Sequence, residues 1–272
     1  MRELEREFPA TALDATPPAP ALVARLIVVG PGRAGSSLAA AAESAGLKVS
    51  LLSRDEDLPD IDPGETAVLL CVPDAAIAAA CERIAAEVPA GTPVGHVSGA
   101  TPLTALDAAA TRGYPTFSLH PLQTIPSRDT PLAGTPCALA GSDTGLAVAR
   151  ELASKLDMRP FEVAEANRAT YHTAASMASN FLVALEESAA ELLEAAGVAE
   201  PRDVLAPLVL RTAANWADAG AGALTGPIAR GDEATVAEHL RALAEEAPQL
   251  TPLYEVLAER ARELVDRKEG ST

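Results

Sequence analysis
The sequence predicts an α/β domain built on a parallel sheet with helices on its faces, followed by an all-helical domain. Three observations predict it. Short β-branched runs recur through the first half of the chain, a glycine-rich turn follows the first run, and helical periodicity alone fills the second half.

The elements follow in order. Residues 1–23 are expected to be a mobile tail, because the stretch from about Pro9 to Pro20 is rich in Pro, Ala and Thr and can bury little. Leu26-Ile27-Val28-Val29 reads as the first strand, and an Ala-rich helix from Ser36 to about Ser44 is stopped by Gly46. Further strands are expected at Val49 to Leu52, Ala67 to Val72, Pro93 to Val97, Thr116 to Leu119 and Cys137 to Ala140. Such runs, apolar on both faces, suit a parallel sheet covered by helices. The period then changes. One long helix is predicted from about Asn167 to Ala196, with Tyr171, Ala174, Ala178, Phe181 and Leu185 at three- and four-residue steps and Gly197 as its stop. More helices are expected over Arg202 to Ala219, Glu233 to Glu246 and Thr251 to Arg267. The division is therefore a sheet domain over 24–164 and a helical domain over 165–272.

Composition bounds the partners. With 21 Lys and Arg against 38 Asp and Glu, the chain carries a formal charge of −17, which disfavours general nucleic-acid binding. At 48% hydrophobic but 3% aromatic, it can bury a large core made of Ala, Val and Leu. Cys71, Cys81 and Cys137 form no C-x-x-C pair, which argues against a disulfide framework or a structural zinc site and for a reducing compartment. The charged start from Met1 to Phe8 lacks a signal-peptide core, and no apolar run reaches the ~20 residues that span a bilayer, so a cytoplasmic protein is expected. The Ala-rich second half is expected to pack against its copy in a homodimer.

The chemistry begins at Gly30-Pro31-Gly32-Arg33-Ala34-Gly35, a G-x-G-x-x-G between strand and helix. The first Gly permits the turn, the second lets a pyrophosphate approach, and the third allows close helix packing, so this is the cofactor loop of a Rossmann-type dinucleotide-binding domain. At the end of the second strand, Ser53-Arg54 replaces the acid that would accept ribose hydroxyls. A hydroxyl and a guanidinium suit a 2′-phosphate, so NADP(H) is preferred; if Asp55 faces the ribose instead, NAD(H) fits. Val72 and Pro73, where the third strand ends, should flank the cofactor. No H-x-x-x-H or H-E-x-x-H is present, and no metal is expected.

Candidate catalytic and substrate residues lie beyond it. His96 and His120 fall at predicted strand ends, beside Ser98-Gly99 and Pro121, where ligands meet a parallel sheet. His172, Ser176 and Asn180 are four apart and would share one face of the long helix. His120 and His172 are acid–base candidates, and Asn180 and Ser98 could orient a substrate. Gly99 and Ser176 would line the same cleft. Arg230, in the Gly- and Pro-interrupted stretch from Ala223 to Asp232, could pair with a substrate carboxylate, and Asp232 could cap the helix opening at Glu233.

At these residues the chain resembles bacterial Rossmann-like proteins carrying domain of unknown function 2520, relatives of pyrroline-5-carboxylate and ketopantoate reductases. The resemblance runs over about Leu26 to Leu264, through the Gly30 to Gly35 loop, His96-Val97-Ser98-Gly99, Ser118-Leu119-His120-Pro121-Leu122-Gln123, Tyr171-His172, Ser179-Asn180 and Leu224 to Asp232. It implies an NADP-binding domain followed by a helical domain like that of 6-phosphogluconate dehydrogenase relatives. Hydroxyacid dehydrogenases and ketopantoate reductases carry a Lys four residues before an Asn on the first long helix of that domain. If Asn180 is that Asn, Ser176 stands where the Lys would be, and a proton must come from His172, His120 or water. The expected activity is hydride transfer between NADP(H) and a small polar carbonyl or imine, with a ketopantoate-type 2-oxoacid first. The alternative is a non-catalytic NADP-binding redox sensor or assembly factor.

Overall fold
The computed structural model describes residues 23–53 and 56–269. The chain forms two compact units, divided between Ala175 and Ser176. The expected tail lies outside the described residues except for Val23, which is buried and donates its N–H to Glu151 at 2.9 Å.

In the first unit, β1 (Arg25–Val29), β2 (Lys48–Leu52), β3 (Thr66–Leu70), β4 (Val94–His96), β5 (Thr116–Pro121), β6 (Pro136–Gly141) and β7 (Arg159–Glu162) form one sheet in the order β2-β1-β3-β4-β5-β6-β7. The first five are mutually parallel. Alternation along the buried strands sorts side chains between two layers. Leu26 and Val28 of β1 and Ala67 and Leu69 of β3 pack with Leu38, Ala39 and Ala42 of α1 (Arg33–Ser44) and Leu152 of α4 (Asp143–Lys155). Ile27, Val29, Val68 and Leu70 face the other way, onto Ile77, Cys81 and Ile84 of α2 (Ile77–Glu87) and Ala109 of α3 (Asp107–Ala110). Each fully buried Leu or Ile contributes about 1.5–3 kcal/mol of apolar transfer energy, which is why these strands read as continuous hydrophobic runs.

The sheet departs from the expected all-parallel form. β6 runs antiparallel to β5, with His120 opposite Ala138, and β7 then pairs parallel to β6. β7 has no counterpart in the sequence reading, because all four of its residues are exposed and Pro160 sits within an edge strand.

The long helix is also corrected. It is two helices, α5 (Arg168–Ala178) and α6 (Asn180–Ala195), separated at Ser179, whose φ of −122° and ψ of −75° leave the helical region. The unit boundary falls within α5. The second unit continues through α7 (Pro201–Ala219), α8 (Glu233–Glu246) and α9 (Thr251–Glu269). Asp232 caps α8, accepting from the Thr235 N–H at 3.1 Å.

Candidate dinucleotide and histidine site
β1 lies between β2 and β3, so the chain leaves it first toward one side and then crosses to the other. In open parallel sheets, ligands bind beyond the carboxyl ends of the strands at such a reversal. The glycine loop occupies that position. Gly30 has φ +112°, and a Cβ there would stand 2.5 Å from the Cys71 carbonyl oxygen. A Cβ on Gly35 would come within 2.0 Å of the Gly30 carbonyl oxygen, so this residue lets α1 start directly against the strand end. Gly32 differs: a Cβ there would meet nothing within 4 Å. It is the N-cap of α1, with no side-chain cap and no acid in the first turn, so the opening amides retain their capacity for an anion. Pro31 and Arg33 are exposed, Ala34 is half-buried and Gly35 is buried. An open face over an uncapped helix start fits a dinucleotide pyrophosphate.

The edges of this cradle are less regular. Ser53 follows β2, and its N–H donates to Glu56 Oε2 at 2.6 Å. Arg54 and Asp55 lie outside the described residues. Half-buried Val72 and exposed Pro73 follow β3. Burial pushes the neighbouring Cys71 thiol up to about 12, which removes it as a nucleophile.

A polar cluster sits at the carboxyl ends of β4 and β5. His96, fully buried, accepts the Ser98 N–H on Nδ1 at 3.2 Å, and its Nε2 has no protein partner. Burial, then the positive Arg168, lowers His96 from 6.5 to about 4. The Ser98 hydroxyl donates to Asp74 Oδ2 at 2.9 Å and accepts from the Thr101 and Ala100 N–H groups at 2.9 and 3.2 Å. Those bonds join the loop after β4 to Asp74 at the end of β3. Arg168, 6% exposed, donates from Nε to Glu165 at 3.1 Å, from Nη1 to the Ser98 carbonyl at 3.2 Å and from Nη2 to Ser118 Oγ at 2.6 Å. It thereby ties the start of α5 to the loop after β4 and to the middle of β5.

That tie places the histidines. His120 Nδ1 lies 2.6 Å from the Tyr171 hydroxyl, and the His120 and His172 ring centroids are 6.2 Å apart. Gly99 lies between them: a Cβ there would come within 2.8 Å of His120 Cε1, 2.9 Å of His120 Nε2 and 2.8 Å of His172 Cδ2. Burial first, then His172 and Arg168, lowers His120 from 6.5 to about 4, so its imidazole is neutral at pH 7. A neutral imidazole can donate a hydrogen bond to a developing negative charge but has no imidazolium proton to deliver.

The structure therefore brings His120, His172 and Gly99 together. Ser176 follows His172 by four residues on the same helix, α5, whereas the break at Ser179 puts Asn180 on α6 and ends the regular stripe there; Ser176 is half-buried and Asn180 is exposed. Arg230 donates from Nη1 to the Thr225 carbonyl at 2.6 Å. Arg168, Asp74 and Tyr171 were given no role by the sequence reading. Asp74 follows Pro73 at a strand end, Tyr171 precedes a histidine, and Arg168 lies one turn before both helical rings. Among the described residues no group of His, Cys, Asp and Glu is arranged to hold a metal.

Comparison with solved structures agrees with this architecture. A putative NADP oxidoreductase from Bacteroides fragilis is 25% identical, with a TM-score of 0.72 over 88% of this chain and 98% of that one. A Thermotoga maritima protein is 23% identical, with a TM-score of 0.69 over 90% and 99%. A reductive aminase from Aspergillus terreus, in complex with NADPH and ethyl-5-oxohexanoate, is 16% identical, with a TM-score of 0.61 over 90% and 99%. No curated protein matches the chain in sequence. The fold is thus a Rossmann-type domain followed by a helical region, and residues 135–261, from the start of β6 into α9, match the family described as Domain of unknown function (DUF2520).

Proposed function
We propose that the protein is an NADP(H)-dependent oxidoreductase that moves hydride to or from a small polar carbonyl or imine. The observation that carries this is the open, uncapped Gly32 turn at the same carboxyl edge of the sheet as the His120 and His172 rings. Gly30, Gly32, Gly35 and the first amides of α1 would hold the pyrophosphate, with Ser53 and Arg54 on the adenosine side; when bound, the cofactor supplies hydride. The similarity to a putative NADP oxidoreductase and to NADPH-complexed reductive aminases supports the choice of cofactor.

The chain's own residues supply the rest. Neutral His120 donates a hydrogen bond from Nε2 to the carbonyl oxygen or imine nitrogen, favouring charge that builds there. His172 carries the proton at Nε2, the ring nitrogen bonded to the Cδ2 that faces Gly99. A ketopantoate-type 2-oxoacid and a cyclic imine are the two substrate classes to compare. Following NADPH absorbance across panels of both should identify one of them. His172→Gln should then lower turnover about a hundredfold while leaving NADPH affinity within about twofold, as expected for loss of a proton donor. NADPH binding without oxidation of any panel member would instead indicate a redox sensor or assembly factor.

The second unit carries exposed apolar side chains along α6 and α7, among them Phe181, Val183, Val204, Leu208, Leu210 and Trp216. Within these two helices only Ala190 and Pro201 are buried. That exposure supports a homodimer through the helical unit. Sedimentation equilibrium at micromolar concentration should give twice the chain mass, and a monomer would remove this part of the proposal. Cys71, Cys81 and Cys137 are free, and no described helix is long and apolar enough to cross a membrane. Free thiols support the cytoplasmic location proposed with this activity.

A further inference from the structure
We infer that Tyr171 is a positioning residue that fixes His120 in the tautomer with its proton on Nε2. The inference rests on the proposed reductase reading only for its consequence, since the hydrogen bond itself belongs to the free protein. Tyr171 Oη and His120 Nδ1 are 2.6 Å apart with the rings nearly perpendicular, at 83° and 5.6 Å between centroids. The tyrosine ring is itself held edge-on by Phe161 of β7, at 5.9 Å and 68°. An O–H and an aromatic nitrogen at this separation share one proton.

The direction of that bond decides the chemistry. A phenol is a strong donor and a weak acceptor, whereas a neutral imidazole has one lone-pair nitrogen that accepts well. Tyr171 stays protonated, because burial raises its hydroxyl to about 12, and His120 stays neutral for the reasons given above. The favoured arrangement is Tyr171 O–H donating to Nδ1. The second ring nitrogen then bears the hydrogen, since one nitrogen's partner sets the state of the other.

Cε1 and Nε2 are the His120 atoms packed against Gly99: they lie 2.8 and 2.9 Å from where a Cβ would stand, and the Cδ2 of His172 lies 2.8 Å from the same point, so that only glycine fits between the rings. In this tautomer His120 presents an N–H donor on that side. In the other it would present a lone pair, which repels a developing alkoxide or amide. Tyr171 thus converts His120 into a fixed donor without touching the substrate itself. β6 and β7 contribute as well: β6 pairs with β5 opposite His120, and β7 presents Phe161 to the tyrosine.

The test uses the full chain with 15N-labelled histidine. Two-bond 15N–1H correlation spectra separate the two tautomers of each imidazole, and His120→Gln assigns the signal among His96, His120, His172 and His239. The expected result is the Nε2–H form for His120 in the wild type and a mixture of tautomers in Tyr171→Phe, with NADPH affinity unchanged within about twofold. On an identified substrate, Tyr171→Phe should lower kcat about tenfold with KM nearly constant. An Nδ1–H form in the wild type, or a tautomer indifferent to Tyr171→Phe, overturns the inference. Failure of the reductase reading shows elsewhere, as an absence of NADPH oxidation with the tautomer result intact.

Discussion

Gly32→Ala should leave the protein folded, with an unchanged unfolding midpoint, and weaken NADPH binding about a hundredfold, close to 2.7 kcal/mol. A methyl group there meets no atom of the protein within 4 Å, so its only obstacle is whatever occupies the space over the start of α1. Gly35→Ala should behave differently. Its Cβ would press to 2.0 Å from the Gly30 carbonyl, backbone against backbone, so α1 must move away from β1. A stability loss of about 3 kcal/mol is expected from that overpacking, together with loss of cofactor binding. Fluorescence titration with NADPH and urea unfolding of the two variants separate the roles. Equal losses of stability in both, or undiminished binding in Gly32→Ala, would show that the turn serves packing alone.

Acidification should destabilise the protein through His96 and His120. Both titrate near 4 when folded, against 6.5 for an ordinary histidine, so between those values the unfolded chain binds the protons. Stability therefore falls as pH drops from about 6.5 to about 4 and is fully retained above that window. Each ring can contribute up to about 3 kcal/mol, although their mutual repulsion and shared neighbour Arg168 keep the two contributions from being independent. Urea midpoints measured at half-unit steps from pH 7 to pH 4 should decline steeply in the wild type. His120→Gln should decline less over the same range. A flat profile, or one that rises on acidification, would mean that the rings are protonated in the folded protein.

How far the sequence foretold this molecule depended on the range of the forces involved. The first strand, the glycine turn and α1 were legible because their signals are local: a β-branched run, three glycines at fixed spacing and an alanine-rich helix. The span of α8 was legible for the same reason, with Asp232 as its cap and Glu233 to Glu246 as its body. The direction of β6 was not, since pairing with β5 is decided by long-range contacts and a short apolar run has no polarity of its own. β7 was invisible because its exposed Arg-Pro-Phe-Glu pattern lacks apolar alternation. At Ser179 the apolar positions continue in helical register, so periodicity carried the reading straight through a break made by one residue's backbone.

The site divides along the same line. Gly30, Gly32, Gly35, His120 and His172 announced themselves by motif or by residue type. Arg168 and Asp74 act through partners far along the chain: Ser98 and Ser118 lie 70 and 50 residues from the arginine, and Ser98 lies 24 from the aspartate. A buried cation of this kind is recognisable only once the groups that neutralise and hydrogen-bond it are assembled. Ser98 illustrates the converse. Its position after β4 suggests availability for a substrate, yet its hydroxyl donates to Asp74, from the end of another strand, and accepts from the Thr101 N–H of its own loop.

The most direct trial is a calorimetric titration of the intact protein with NADPH and, separately, NADH at neutral pH. One dinucleotide bound per chain is expected, with the phosphorylated form at least tenfold tighter, a difference of about 1.4 kcal/mol. Absence of heat and of saturation with either coenzyme, even at millimolar concentration, would contradict a dinucleotide cradle at the first β–α turn.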